Sequence, residues 1–95
     1  MANEVTPSRA LMVMDSKDNV AVCLRPMQPG EEVQLARDEK VVAIKMLEAV
    51  PVGHKVALSA VSAGQPIVKY GEVIGRATRN ILAGQHVHDR NISDY

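Results

Sequence analysis

With 95 residues, the chain has room for one small domain, and a chain of this length buries roughly 60–70% of the surface its unfolded form exposes. Its balance of 46% hydrophobic and 23% charged residues is that of an ordinary globule and excludes a disordered or low-complexity chain. A formal net charge of zero, with both signs interspersed, excludes the basic face that a nucleic-acid binder needs, and the longest apolar runs, Ala10–Met14 and Val20–Leu24, are too short to span a bilayer.

Trp and Phe are absent, and Tyr70 and Tyr95 are the two aromatics. The core must therefore be built from Val, Ile, Leu, Met and Ala, each of which buries less area than a ring. So light a core leads us to expect a partner, either a second copy or another chain. Cys23 has no second cysteine to pair with. That fits a reducing cytoplasm, and within "VAVCL" the residue reads as a small buried apolar side chain. The start of the chain, "MANEVTPSR", carries no secretory signal pattern.

In chain order, residues 1–8 read as a loose polar tail and 9–95 as a single domain. "RALMVM" (9–14) and "NVAVCL" (19–24) read as paired strands, because Asp15-Ser16-Lys17-Asp18-Asn19 between them is rich in side chains that bond back to their own backbone. "MQPGEEV" (27–33), "VSAGQPI" (61–67) and "ILAGQHV" (81–87) share one local pattern, with a Gly suited to positive φ between apolar anchors. Their unequal spacing marks a recurring turn rather than a solenoid. "VQLARDEKVVAIKMLEAV" (33–50) is ambiguous: its composition favours a helix, whereas the alternation of Val33, Leu35, Val42, Ile44 and Met46 favours two strands around "RDEK". In "IVKYGEVIG" (67–75), Gly71-Glu72 between β-branched runs signals a hairpin. The expected fold class is mainly β, with short strands and hairpins and little or no helix.

Two of the three histidines fall in "QHVHDRN" (85–91). On a strand, His86 and His88 project to one face and could grip one metal ion or one anion, whereas on a helix they would diverge by about 200°. They also read as ordinary solvated surface residues. Imidazole suits Zn, Fe, Ni or Cu, and two rings leave a coordination sphere incomplete. The third histidine, His54, sits in "VPVGHKVAL" (50–58), where Pro51 and Gly53 bend the chain at the mouth of a strand. Its neighbour Lys55 could hold a carboxylate as a point charge or be solvated. No HExxH, P-loop, GxGxxG or nucleophile-elbow pattern occurs, so a complete catalytic set is not written in this sequence.

"DNVAVCL" (18–24), "VGHKVAL" (52–58) and "GQPIVKYGEVIGRATRNILAGQHVHDRN" (64–91) together resemble the N-terminal SAF-like domain of the altronate and galactarate dehydratase family, in order and in spacing. In that family the domain occurs ahead of a large catalytic region or as a free small subunit, as it does in the related sulfolactate sulfo-lyase. The resemblance implies a small β-clip fold, with strands over 33–50. It also implies a cytoplasmic hydro-lyase that removes water from a sugar acid such as altronate with the help of Fe2+ or a similar divalent metal, and a large catalytic subunit as partner. By position, His54 matches the family's GHK histidine and His86 and His88 its HVH pair, so metal or substrate binding is expected there, with Lys55 and Arg90 as carboxylate contacts. Many relatives continue HVHxHN, and this chain has Arg90 in place of that further histidine. Protonated Arg does not ligate metals but can hold a carboxylate bidentately.

Overall fold

The computed structural model describes residues 10–37 and 39–94. The expected tail at 1–8 lies outside them. Nine strands follow one another: β1 (Leu11–Met12), β2 (Val20–Cys23), β3 (Glu32–Arg37), β4 (Lys40–Lys45), β5 (Lys55–Ala57), β6 (Pro66–Lys69), β7 (Glu72–Ala77), β8 (His86–Val87) and β9 (Ile92–Asp94). There is no helix among the described residues. None could therefore cross a membrane.

The strands form three antiparallel groups: a sheet in the order β1-β2-β5-β8, the hairpin β3-β4, and a sheet in the order β6-β7-β9. The four-stranded sheet is central, because successive side chains leave its two faces for two different cores. Ala21, Cys23 and Val56 enter a core closed by Val33, Leu35 and Ile44 of the β3-β4 hairpin. Val20, Ala57 and Val87 enter a second core closed by Ile67 and Ala77 of the other sheet. Val56, Ala57, Ile67 and Val87 are fully buried, and burying a side chain the size of Val or Ile is worth roughly 1.5–3 kcal/mol.

The ambiguous stretch after residue 32 is the β3-β4 hairpin. Val33 and Leu35 are buried while Glu32 and Ala36 are exposed, and the pairings Val33↔Ile44 and Leu35↔Val42 bring the apolar positions together on one face. A period of two matches a surface to cover; the helix-favouring composition does not. In the β6-β7 hairpin the turn is Tyr70-Gly71 rather than the expected Gly71-Glu72. Lys69 pairs with Glu72, and Tyr70 (φ 56°) and Gly71 (φ 78°) are both left-handed, the requirement of a two-residue type I′ loop.

The recurring Gly turn organises the whole fold, and it occurs four times. Glu31, His54, Gln65 and Gln85 each donate their backbone N–H to the carbonyl three residues back (Gln28, Pro51, Ser62 and Leu82), with Gly30, Gly53, Gly64 and Gly84 at φ 84–91°. Each turn is stapled to a strand end by the same pair of bonds. Gly30 donates to the carbonyl of Met46, whose N–H donates to that of Glu31; Gly53, Gly64 and Gly84 repeat this with Cys23, Ala77 and Ala57. The turns also come in pairs, joined by the bridges Met27↔Val50 and Val61↔Ile81. Residues from β2 to the second turn and from β5 to the fourth are thus two copies of one unit, an internal duplication that the unequal turn spacing concealed.

Candidate functional site

The second of the four turns, Pro51–His54, departs from the shared pattern for a physical reason. In the turns at 28–31 and 82–85 the last side chain reaches back to the first residue's N–H: Glu31 Oε1 accepts from Gln28 at 2.7 Å and Gln85 Oε1 from Leu82 at 2.7 Å. Pro51 has no N–H to offer. The side chain at position 54 is therefore free of that task, and the position carries His.

His54 immediately precedes β5, and the antiparallel register Val56↔His86, Lys55↔Val87 places it opposite His88. His86 and His88 lie on the same face of β8. All three rings consequently share the face that carries Val56. The His54 and His88 rings stack with centroids 4.4 Å apart, and the His86 ring lies 5.1 Å from that of His54 and 5.3 Å from that of His88. His54 Nδ1 and His86 Nε2 are 2.9 Å apart, one donating and the other accepting. One ring nitrogen from each of the three half-buried residues lies within 4.8 Å of the other two. Burial, then the neighbouring His54 and His88 rings and the Arg90 guanidinium, hold His86 below the ordinary imidazole range, against the opposing pull of Glu48. These influences favour the neutral ring, the state in which imidazole can ligate.

Arg90 stands at the rim of this cluster, where its guanidinium donates to Glu48 Oε1 in an ion pair. Glu48 Oε2 also accepts the His86 N–H at 3.3 Å. Glu48 was missed in the sequence. It follows the β3-β4 hairpin, close to His54 in the chain but far from His86 and His88, and the two segments meet where Leu47 donates to the Gly84 carbonyl at 2.9 Å. Lys55 does not join the cluster. Strand alternation sends it to the opposite face, where burial first and then Lys69 lower its pKa and Asp89 partly restores it.

The three half-buried imidazoles, beside the Arg90–Glu48 ion pair, form a group that could hold a metal ion, carried on a domain whose described residues form strands and turns. The chain belongs to the altronate/galactarate dehydratase SAF domain family, with the match extending over residues 9–95. It is 34% identical over 83 residues to altronate dehydratase of Bacillus subtilis (strain 168), covering 87% of this chain and 16% of that protein. It is 42% identical over 74 residues to altronate dehydratase of Escherichia coli (strain K12), covering 78% of this chain and 14% of that protein. It is also 32% identical over 84 residues to (2R)-sulfolactate sulfo-lyase subunit alpha of Chromohalobacter salexigens, covering 85% of this chain and 89% of that subunit. The chain therefore spans about a sixth of the altronate dehydratases it matches and most of the sulfo-lyase subunit.

Proposed function

We propose that this domain supplies the histidine-bearing wall of a metal-dependent lyase site for a hydroxy acid such as altronate, completed by a larger catalytic subunit or region of the same family. The observation that carries this reading is the convergence of His54, His86 and His88, from two segments of the chain, on one face of the β5-β8 pair. The donor set fits a divalent ion such as Fe2+: three imidazoles of borderline softness, whose nitrogens are spaced from 2.9 Å to within 4.8 Å. Ligands about 2.0–2.1 Å from one tetrahedral centre stand roughly 3.3 Å from each other, inside that range. A divalent cation held there supplies Lewis acidity for loss of the proton next to a carboxylate and for departure of the hydroxyl.

The protein's own part is to orient and to bind. His54 and His86 give up their mutual hydrogen bond when they ligate. Arg90 offers a planar fork to the substrate carboxylate, which competes with Glu48 for it. With Glu48 engaged at Arg90 and at the His86 N–H, we assign the base that takes the α proton to the larger partner. Leu47, Val52 and Leu82, on the segments that carry Glu48, His54 and His86, are 46%, 56% and 56% exposed. Such apolar side chains support a covering partner. A reducing cytoplasmic setting fits the free, buried Cys23.

The decisive experiment mixes the chain with a large catalytic subunit of the family and ferrous iron, and assays aldonates, aldarates and sulfolactate. Turnover of a sugar acid that requires both chains, and that falls more than about 100-fold on replacing His86 and His88 with Ala, is expected. Turnover indifferent to both histidines would overturn the proposal. The high coverage of the sulfo-lyase subunit favours a second reading, in which sulfite rather than water leaves; conversion of sulfolactate alone would establish it. Sugar-acid binding by the isolated chain, without turnover in any mixture, would instead identify a non-catalytic binding module.

A further inference from the structure

β8 is two residues long and has β5 on one side. Its other edge carries the N–H and C=O of His86 and of His88, and buried backbone groups of this kind need partners. Two side chains and the backbone N–H groups of Asn91 and Ile92 supply them. Glu48 Oε2 accepts the His86 N–H at 3.3 Å. Asn91 Nδ2 donates to the His86 carbonyl at 2.8 Å, and Asn91 Oδ1 accepts the His88 N–H at 2.9 Å. The backbone N–H of Asn91 donates to the His88 carbonyl at 2.9 Å. Asn91 is 3% exposed, one of two buried polar or charged residues among those described. Its own carbonyl accepts the Thr78 N–H at 3.0 Å, which anchors it to the end of β7.

We propose that Asn91 is the positioning residue of the histidine cluster: its amide takes the place of an absent neighbouring strand and fixes the peptides on either side of Val87, so that His86 and His88 are held at one spacing against His54. His54 is anchored separately, through the bond its carbonyl accepts from Cys23 at 2.9 Å. Losing the Asn91 amide therefore moves one side of the cluster relative to the other without dismantling either core. An aspartate at this position would keep an acceptor for the His88 N–H but lose the donor to the His86 carbonyl. This inference concerns the geometry of the cluster; its consequence for metal affinity rests on the function proposed above.

The test uses the 95-residue chain with Asn91→Ala and Asn91→Asp. The first readout, without metal, is the set of nuclear Overhauser contacts between the His54 ring and the His86 and His88 rings, recorded beside the backbone amide spectrum. The second is Co2+ titration followed by d–d absorption. In Asn91→Ala the ring contacts are expected to vanish while the amide resonances of β1 to β7 stay in place, and Co2+ affinity to fall on the order of 10-fold. Asn91→Asp should weaken the His54–His86 contacts, and it decides the matter if Asn91→Ala does not fold. Ring contacts of undiminished intensity in a folded variant would overturn the proposal, as would their absence from the wild-type chain. If the wild-type chain takes up no Co2+, the metal reading fails while the ring contacts still decide the role of Asn91.

Discussion

His54 and His88 stack at 4.4 Å because the antiparallel register of β5 and β8 sets them opposite each other. Neither segment could make this pair alone: one ring leaves a Gly turn stapled to β2, the other a two-residue edge strand. His54 is half-buried beyond the apolar core, so its replacement by Ala should leave stability within about 1 kcal/mol of wild type. Co2+ affinity should fall more than about 100-fold, beyond the usual effect of losing an outer-shell partner. Optical titration of the folded variant measures this, and unchanged affinity would remove His54 from the ligand set.

Gly84 packs directly against the backbone of Lys45 and Leu47, next to Glu48. Its backbone lies at φ 91°, and a Cβ there would stand 1.9 Å from the Lys45 carbonyl oxygen. Gly84→Ala therefore combines left-handed strain with a backbone clash and should destabilise the domain by at least about 2 kcal/mol. Gly53→Ala shares the positive φ but meets nothing within 4 Å, so it should cost about 1 kcal/mol. Urea denaturation of the two variants tests the order, and equal midpoints would contradict it.

Asp18 gives the domain an acid limit. Its buried carboxylate accepts the N–H groups of Met14 and Asp15 at 3.2 Å each and of Gly71 at 2.8 Å, tying the β1-β2 loop to the Tyr70-Gly71 turn. Burial pushes its pKa up, but the backbone donors, Gly71 foremost, outweigh that and hold it below the ordinary 3.8. Asp18 is depressed in the folded state, so its contribution is fully present above the unfolded value and lost as pH falls through the folded one. Stability should decline below about pH 4. In Asp18→Asn that part of the decline should shrink, at a cost near neutrality of about 1–3 kcal/mol. Thermal midpoints from pH 2 to 7 for both chains provide the check; parallel profiles would count against it.

Cys23 should be chemically silent in the native domain. It is fully buried, and burial pushes its thiol up to about 11, with Arg25 only partly countering. Thiolate is the reactive form, so alkylation by iodoacetamide at pH 8 should proceed at the rate of unfolding and become rapid in denaturant. Fast labelling of the native chain, followed by mass spectrometry, would refute this.

The residues by themselves determined the elements whose cause is local. The Asp15–Asn19 break wrote the loop between β1 and β2, whereas the β3-β4 stretch stayed open between helix and strands until its Val33, Leu35, Val42 and Ile44 face had a core to cover. Three of the four Gly turns were readable because they share Gly with Glu or Gln after it. The turn at Pro51–His54 escaped, since Pro51 removes the N–H that makes a Glu or Gln useful and His54 breaks the pattern. The type I′ loop was misplaced by one residue because Tyr at positive φ is a choice the surrounding hairpin enforces, not one Tyr favours.

The sequence also determined that His86 and His88 share a face, because a strand's period of two is a property of one segment. Only the tertiary structure decided that His54 stands opposite His88 and that Glu48 occupies Arg90. Each of these depends on contact between segments distant in the chain. Register is fixed by which apolar faces meet in the two cores, and a shift of one residue between β5 and β8 would take the His86 and His88 rings to the side away from His54.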